Sequence, residues 1–373
     1  MAAENLQRVN DDLYSRWKER YKSLRRRLPF DNGNFPYVTA RVKARKALLL
    51  PKESYDRFLQ MEIPEIARYL GEQQYKEELL ALGVQYSGVD LIEMAITRNL
   101  EKTYTQIYEF SEGQLKIMVG RYLDRYDLQN IKTVVRAKVY GATERDLQED
   151  IIPAGSFSRT FLEKLVEAKD LDSIFKALEG TIYSNALQLL GKRPSEVTAW
   201  SDWEDLVSRL YYSELLESIT PLNEPNTLML EFVKREIDVI NLKTMLRAWA
   251  SKAQFEREIF LDGGYELSRE NLREMLKMDE GQLARSLSKY QYYKEVADNL
   301  GKVVTSGIGV LMRSAERAHL VEAEHYSHIH PLSILPVLDY IIRKDREVQN
   351  IRIIARGKES NLPTETIREL LVI

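Results

Sequence analysis

An internal repeat is the feature of this sequence that most restricts how the chain can fold. Three ten-residue segments begin at Asp127, Asp238 and Glu347, and these starting positions are 111 and 109 residues apart. Each segment has an acid, an asparagine three residues later, an aliphatic residue next, and basic residues five and nine positions after the acid. A fixed period of this length indicates that one supersecondary unit occurs three times and buries its apolar face against its neighbours.

The repeat positions form three full sets and one partial set. The full sets are Asp127, Asn130, Lys132 and Arg136; Asp238, Asn241, Lys243 and Arg247; and Glu347, Asn350, Arg352 and Arg356. In the partial set Arg41 and Arg45 match the two basic positions, and Thr39 stands where the others have asparagine. A second, weaker pattern with the same period is Ile66, Leu70 and Tyr75, then Ile174, Leu178 and Tyr183, then Leu283, Leu287 and Tyr292. Both patterns predict repeats of about 109 residues.

The repeated segment reads as an amphipathic helix with an acid in its apolar face. At 100° per residue, the acid falls within the apolar arc, and the two basic residues project together from another face. A carboxylate in an apolar arc is unfavourable unless it is paired, so we expect each acid to find a partner on a neighbouring helix. Because the motif occurs three times in equivalent positions, whereas catalysis uses one asymmetric constellation, we interpret it as scaffold, with three equivalent ligand sites as the alternative.

The rest of the chain also favours helices. Glycine and proline number only 17 and 11 among 373 residues, which argues against a turn-rich sandwich or propeller. Between Leu91 and Phe110 the apolar residues step by three and four, and no convincing run alternates as a strand would. Ser201 and Glu204 match a capping box that would start another helix. The predicted fold is all-α, with three pseudo-symmetric helical repeats arranged as a funnel or ring.

The repeat phase predicts the domain organisation. We expect a basic extension over residues 1–34, a first repeat over 35–118, a second over 119–230, a third over 231–340, and closing helices over 341–373. The chain begins within a repeat whose repeated helix is only partly matched, and it ends with a fully matched repeated helix. The last helix is therefore expected to complete the first repeat and close a ring. An open solenoid with a capped end is the alternative.

Composition and missing motifs exclude several kinds of chemistry. Lys and Arg total 54 against 57 Asp and Glu, a net charge of −3, so no global basic field would attract nucleic acid. There is no cysteine, which excludes disulfides, thiolate metal sites and thiol nucleophiles. No P-loop or dinucleotide-binding fingerprint occurs, and no stretch approaches 18 uncharged apolar residues. No cofactor is expected.

Three local features leave other possibilities open. All four histidines, His319, His325, His328 and His330, fall in one window and could bind zinc or nickel, although a polar helix end is the preferred interpretation. Arg25, Arg26 and Arg27 end a basic segment that could contact anionic headgroups or acidic loops, or simply form a solvated helical face. Asp11 to Glu19 matches the magnesium-binding pattern of helical terpene synthases, but a polar helical face is preferred.

At the repeated helices the sequence resembles the C subunit of the A-type/V-type rotary ATPases, the relative of the d subunit of the eukaryotic V-ATPase. The resemblance rests on residues 37–46 (YVTARVKARK) with Leu49-Leu-Pro51, on residues 66–70 (IARYL) with Tyr75, on the three repeated helices, and on residues 350–357 (NIRIIARG) with Leu362-Pro363. It covers about Phe35 to Ile373, and residues 1–34 look like a variable extension.

The resemblance implies an all-helical, funnel-shaped protein without a catalytic site. Such a protein would sit on the cytoplasmic face of the cell membrane, between central-stalk subunits and the membrane rotor ring, and transmit torque between ATP chemistry and proton or sodium transport. It implies only peripheral membrane contact, no nucleic-acid partner and no homo-oligomer. The alternatives are an α-helical repeat adaptor of another complex and a magnesium-dependent helical lyase.

Overall fold

The computed structural model describes residues 33–141, 147, 151–252 and 259–373 of the chain. Within these ranges all regular structure is helical and no strand occurs, so the all-α prediction is confirmed. The described residues divide into two compact units, one of residues 119–220 and the other of residues 33–118 with 221–373. In the described part of the chain no helix is long and apolar enough to cross a membrane.

Residues 33–123, at the start of the first range that the structure describes, contain six helices. They are α1 (Phe35–Lys46), α2 (Lys52–Gln60), α3 (Ile63–Gly71), α4 (Lys76–Leu82), α5 (Gly88–Phe110) and α6 (Gly113–Leu123). The apolar stripe predicted from Leu91 onward lies on α5, where Ile92, Ala95, Ile96, Leu100, Tyr104 and Ile107 are all buried. Helical periodicity therefore located this element correctly.

Residues 119–220 form a unit with one long helix at each end. Its helices are α7 (Arg125–Tyr140), α8 (Arg159–Val166), α9 (Leu171–Ala177), α10 (Ile182–Leu189) and α11 (Trp200–Ser218). Ser158 and Asp170 cap α8 and α9 by accepting the backbone N–H of Phe161 and Ser173. Helix α7 packs on both α8 and α11. The two long helices thus pack on each other, with α8 against α7 and α10 against α11.

The predicted capping box at Ser201 and Glu204 is wrong. Helix α11 begins at Trp200 with Ala199 at its N-cap position, so Ser201 already lies inside the first turn. The Glu204 side chain instead receives two hydrogen bonds from Arg136 on α7. The ion pair between helices, rather than a local cap, determines where this glutamate lies.

The second unit repeats this order of elements. Its remaining helices are α12 (Glu224–Ser251), α13 (Arg269–Met275), α14 (Glu280–Leu287), α15 (Lys294–Asp298), α16 (Val303–Ser306), α17 (Gly309–Ile329), α18 (Leu335–Glu359) and α19 (Thr364–Leu370). Helix α12 packs along α17, with the short helices α13 and α15 against them. Helix α18 packs along α5 and α1, although both of these helices lie in the first third of the chain. The short helices between α1 and α5 therefore stand where α13 to α15 stand between α12 and α17.

Candidate functional site in the three repeated helices

Each repeated asparagine binds the backbone of one residue in an irregular segment later in the chain, which is residues 371–373, beyond α19, in the third copy. In every copy the side-chain amide donates to a carbonyl and accepts the N–H of the same residue, with N···O distances of 2.7–3.1 Å. The pairs are Asn130 with Ile152, Asn241 with Leu261, and Asn350 with Val372. An amide side chain presents a donor and an acceptor side by side, so it satisfies two backbone groups at once. The asparagines fix two loops and residues 371–373 with the same pair of hydrogen bonds.

The repeated aspartates accept hydrogen bonds from loop backbone. Asp127 Oδ2 accepts the N–H of Ser156 at 2.7 Å and of Phe157 at 3.1 Å. Asp238 accepts three consecutive N–H groups, from residues 265–267, at 2.7–3.2 Å. The expectation of a partner on a neighbouring helix is therefore wrong for these two copies, because the amides of an adjacent loop satisfy the carboxylates.

Glycine permits the loops to approach the aspartates this closely. A Cβ added to Gly155 would lie 2.4 Å from Asp127 Oδ1, and one added to Gly264 would lie 2.2 Å from Asp238 Oδ1. Neither distance is sterically possible, so any larger residue would push the loop off the carboxylate. The Pro153-Ala-Gly155 and Asp262-Gly-Gly264 sequences are thus parts of the repeat, and not only turn signals.

Burial raises the pKa of both aspartates despite these hydrogen bonds. For Asp127, burial is the main cause and the neighbouring Asp124 adds to it, giving a pKa of about 7. For Asp238, burial outweighs the three backbone donors and gives a pKa of about 6. A carboxyl held in an apolar surrounding retains its proton to higher pH because its ionised form loses hydration.

In the third copy the acid is satisfied by groups from the beginning of the chain. Glu347 accepts hydrogen bonds from the backbone N–H of Leu50, from Gln74 Nε2 at 2.8 Å and from the Tyr75 hydroxyl. Lys344 Nζ, three residues earlier on the same helix, lies 2.8 Å from Glu347 Oε1. All of these groups belong to one compact unit, and they connect α18 to residues 50–75.

A buried tyrosine lies near the acid in every copy. They are Tyr75, Tyr183 and Tyr293, and the pKa of each is raised first by burial and then by the nearby Glu347, Asp127 or Asp238. The third position differs from the sequence pattern, which aligned Tyr292. The Tyr293 ring is buried and Tyr292 is only partly so, because the chain turns one residue later in this copy.

The repeated basic residues reach across to the facing long helix. Arg136 donates to both carboxylate oxygens of Glu204, and Arg356 donates to both oxygens of Glu93, with Nε distances of 2.6 and 2.9 Å. In the second copy Lys243 pairs with Glu316, which also lies close to Arg247. Such two-pronged pairs fix the rotation of one helix against the other as well as their separation.

The residues five positions after the acid complete these helix contacts. Lys132 donates to Ser208 Oγ, and Arg352 donates to Thr97 Oγ1 at 3.1 Å. The partner glutamates Glu93, Glu204 and Glu316 are 111 and 112 residues apart, a spacing that follows the repeat period and that the motif of the basic helix alone does not reveal. In the third copy the partner helix is α5, from the first third of the chain, whereas in the other two it follows the repeated helix.

The partial copy near the N-terminus does not make the same contacts. Arg41 lies over the ring of Phe110 at 4.9 Å, and Arg45 donates to Gln106 Oε1. Burial lowers the pKa of Arg45. Thr39 Oγ1 is buried without a hydrogen-bond partner, so the clamp made by asparagine elsewhere is missing here. This helix keeps the basic residues of the repeat but uses them in another way.

Three of the histidines lie along α17 and His330 directly follows its end, and the four side chains do not converge. His319 packs near the Phe232 ring, His325 lies against the Tyr292 and Tyr326 rings, His328 lines a cavity beside α1, and His330 Nδ1 lies 3.6 Å from Glu224. Over the residues that the structure describes, no three His, Asp or Glu side chains are grouped to hold a metal ion. Arg25, Arg26 and Arg27, and the Asp11 to Glu19 pattern, lie outside those residues.

Comparison with known proteins gives one consistent family. The family model described as ATP synthase (C/AC39) subunit matches residues 38–370. The C subunit of the A-type ATP synthase of Methanococcoides burtonii is 37% identical over 345 residues, which cover 92% of this chain and 95% of the relative. The proteins of the same name from Archaeoglobus fulgidus and Haloferax volcanii are each 34% identical, cover 90% and 91% of this chain, and are themselves covered to 96% and 98%. The chain belongs to the ATP synthase (C/AC39) subunit family, as its resemblance to the rotary-ATPase C subunits predicted.

Proposed function

We propose that this chain is the non-catalytic C subunit of an A-type rotary ATP synthase or ATPase. In this role it connects the central-stalk subunits to the membrane rotor ring and transmits the torque that couples ATP synthesis or hydrolysis to proton or sodium transport. The observation that carries the proposal is the match to relatives named as C subunits of A-type ATP synthases, over 92% of this chain and 95% of the relative.

The internal contacts support a mechanical role. A part that transmits torque must resist shear between its helices, and each repeated helix is joined to a facing helix by a carboxylate pair and to a loop by an asparagine. The carboxylates of Glu93 and Glu204 are 5% and 13% exposed and their arginine partners 43% and 56%, so these half-buried pairs are screened less by salt than fully exposed pairs are. The polar side chains of the repeat hold helices and loops in place, as a mechanical part requires. In the described residues these side chains form no catalytic constellation.

We also propose a division of the chain into repeats, which the same contacts support. Residues 35–118 form one repeat completed by 341–373, and residues 119–230 and 231–340 form the other two; their arrangement as a funnel or ring stays a prediction. The pairing of Arg356 with Glu93 and of Glu347 with Tyr75 supports the first of these assignments. Deleting residues 341–373 should speed hydrogen exchange over residues 37–110. Acceleration confined to residues 231–340 would contradict the assignment.

A pull-down tests the function directly. The tagged full-length chain is incubated with detergent-solubilised membranes of its source, and the captured proteins are identified by mass spectrometry. The rotor ring protein and the central-stalk proteins should come with this chain, as expected for a peripheral protein on the cytoplasmic side of the cell membrane. Capture of soluble proteins unrelated to the ATPase would favour the adaptor alternative, and magnesium-dependent turnover would favour the lyase.

The basic segment at the N-terminus has its own test. If Arg25, Arg26 and Arg27 contact the ring or its anionic lipids, replacing all three by glutamine should weaken binding to ring-containing membranes and reduce its dependence on salt. The matched control replaces the exposed Lys76, Lys169 and Lys192, which removes the same charge elsewhere. Equal binding by the two triple variants at low salt would contradict a role for the segment.

A further inference from the structure

The position three residues before the repeated acid separates one copy from the other two. In the third copy it is Lys344, which is fully buried, bonds Glu347 and lies 4.3 Å from the Tyr75 ring. In the second it is Arg235, whose guanidinium bonds Glu322 at 2.7 Å and lies over the Tyr265 and Tyr326 rings, 3.7 and 4.3 Å from their centres. Both copies therefore contain a cation held by a carboxylate and an aromatic ring.

In the first copy this position is Asp124, so a carboxylate replaces the cation. A cavity of about 270 Å³, open to the surface, lies at this place. Its wall includes Asp124, Asp127 and Glu214, and the pKa of each is raised, mainly by burial. Arg121 also lines the cavity, but its side chain is 51% exposed and its Nη1 lies 3.9 Å from Asp124 Oδ2. Three carboxylates thus face one loosely placed cation.

Tyr183 provides an independent sign that a group is missing. Its side chain lines the cavity and is only 4% exposed, yet among the described residues its hydroxyl makes no hydrogen bond. The equivalent hydroxyl of Tyr75 donates to Glu347 and accepts from Lys344. The Tyr183 hydroxyl is not sealed inside the protein, because it borders the open cavity, so it can bond a group that enters there. Of the two partners that the Tyr75 hydroxyl has, the cation is the one that the first copy lacks.

We propose that this cavity receives the guanidinium group of an arginine side chain from a neighbouring subunit. A guanidinium is planar, can bond two carboxylates at once, and stacks on aromatic rings, which the cavity offers in Tyr183 and Tyr211. Arg235 shows the same combination within this chain. The aromatic walls disfavour a divalent metal ion, which prefers a shell of oxygen ligands. The inference rests on the proposed function only in taking the donor to be another member of the rotary complex.

The first experiment uses the isolated full-length chain and does not depend on the complex. The methyl groups of Ile182 and Leu215, which line the cavity, are observed by methyl NMR during titration with N-ethylguanidinium. These signals should shift to saturation, and the methyl of the buried Ile66 in the other unit should not. N-ethylurea, a neutral analogue, should have no effect. Equal shifts with N-ethylurea, or shifts with Mg²⁺ alone, would overturn the proposal.

The pH dependence of this binding gives a second readout. Asp127 lies beside Asp124, the N-cap residue of its helix, and the loop amides of residues 156–157. The other titratable or charged groups that line the same cavity are Arg121 on α6, Tyr183 on α10, and Tyr211 and Glu214 on α11. The pKa of Asp127 is about 7, so raising the pH from 6 to 8 ionises this carboxyl and should tighten N-ethylguanidinium binding. Affinity that falls or stays constant across this range would contradict binding at these carboxylates.

Two substitutions and a control test the residues. Asp124→Arg supplies the cation from within the chain and should abolish the response, while Asp172→Arg adds the same charge at an exposed position of the unit and should leave it unchanged. Glu214→Gln removes one carboxylate and should weaken binding about tenfold, the scale of one charge-assisted hydrogen bond. If Asp124→Arg does not fold, the Glu214→Gln variant still tests the proposal. Wild-type affinity in Glu214→Gln would overturn the proposal.

The second experiment locates the donor in the assembled complex. Because the chain has no cysteine, Ser218→Cys places a single thiol at the cavity wall, and benzophenone maleimide attached there cross-links whatever lies nearby on illumination. The expected product joins residue 218 to an arginine-containing peptide of another protein of the complex. If the variant assembles and no such product forms, the inference fails. If the wild-type chain does not enter the complex at all, the proposed function fails instead.

Discussion

Replacing Asn241 by alanine should destabilise its unit more than the same change at Asn130. The Asn241 side chain is 1% exposed and satisfies both the N–H and the carbonyl of Leu261, itself buried. Alanine leaves both backbone groups unpaired, and each buried unpaired group costs about 1–3 kcal/mol. We therefore expect a loss of about 2–5 kcal/mol. Ile152, the partner of Asn130, is partly exposed, so water can replace the amide there, and the loss should be about 1–2 kcal/mol.

Hydrogen exchange measured by mass spectrometry reads each clamp separately. The Leu261 amide donates directly to Asn241 Oδ1 and the Ile152 amide to Asn130 Oδ1, so the two amides report on the two substitutions. A loss of about 2 kcal/mol corresponds to exchange about 30-fold faster. The control is Gln188→Ala, an exposed side chain on α10, which should stay within about 0.5 kcal/mol of the wild type.

Two results would refute this reasoning. The first is an Asn130→Ala variant destabilised as much as Asn241→Ala, because burial of the backbone partner would then not set the magnitude. The second is an unchanged exchange rate at Leu261 in Asn241→Ala, because the amide would then be protected by something other than the side chain. Urea unfolding of both variants checks that the effect is also visible in the whole chain.

Three further substitutions test other contacts of the repeated helices. The folded-state pKa of Asp127, about 7, exceeds its ordinary 3.8, so between these values the folded chain holds a proton that the unfolded chain has lost. The free energy of unfolding should therefore fall by at most about 4 kcal/mol as pH rises from about 4 to 7 and then level off. Asp127→Asn should remove this pH dependence, measured by urea unfolding at each pH. Arg356→Met strips Glu93 of its two-pronged partner and should cost about 1–3 kcal/mol, less when combined with Glu93→Gln in a thermal double-mutant cycle; full additivity would contradict the pairing. Lys344→Met leaves the buried Glu347 without its cation and should cost about 3–5 kcal/mol, partly recovered by Glu347→Gln; no recovery in urea unfolding would show that packing and not charge matters there.

The fold class and the α5 stripe were predictable because they depend on local periodicity. Apolar residues spaced by three and four place Ile92, Ile96 and Leu100 on one buried face whatever that face packs against. The asparagines were also identifiable, since a polar residue that recurs at one period has the same task in each copy. What each asparagine binds was not predictable, because its partner is the backbone of a loop, and backbone groups carry no sequence signature.

The acids show where sequence reasoning reached its limit. A carboxylate in an apolar arc implies a partner, and Asp127 and Asp238 have one, but the donors are loop amides rather than a neighbouring helix. The glycines that admit those loops, Gly155 and Gly264, looked like ordinary turn residues. Glu204 matched the local sequence pattern of a capping box. In the structure its carboxylate instead pairs with Arg136, 68 residues earlier in the chain.

The contacts of α18 impose an order on folding. Glu347 bonds Tyr75 and Leu50 across more than 270 positions, so these buried groups remain unsatisfied until the last part of the chain has left the ribosome. The unit of residues 119–220 draws its described contacts from about a hundred consecutive residues and can form while synthesis continues. Pairing across such a separation is intrinsically slow. Residues 50–75 are thus made early but reach these native contacts late, and in a cell they depend on protection while the rest of the chain is made.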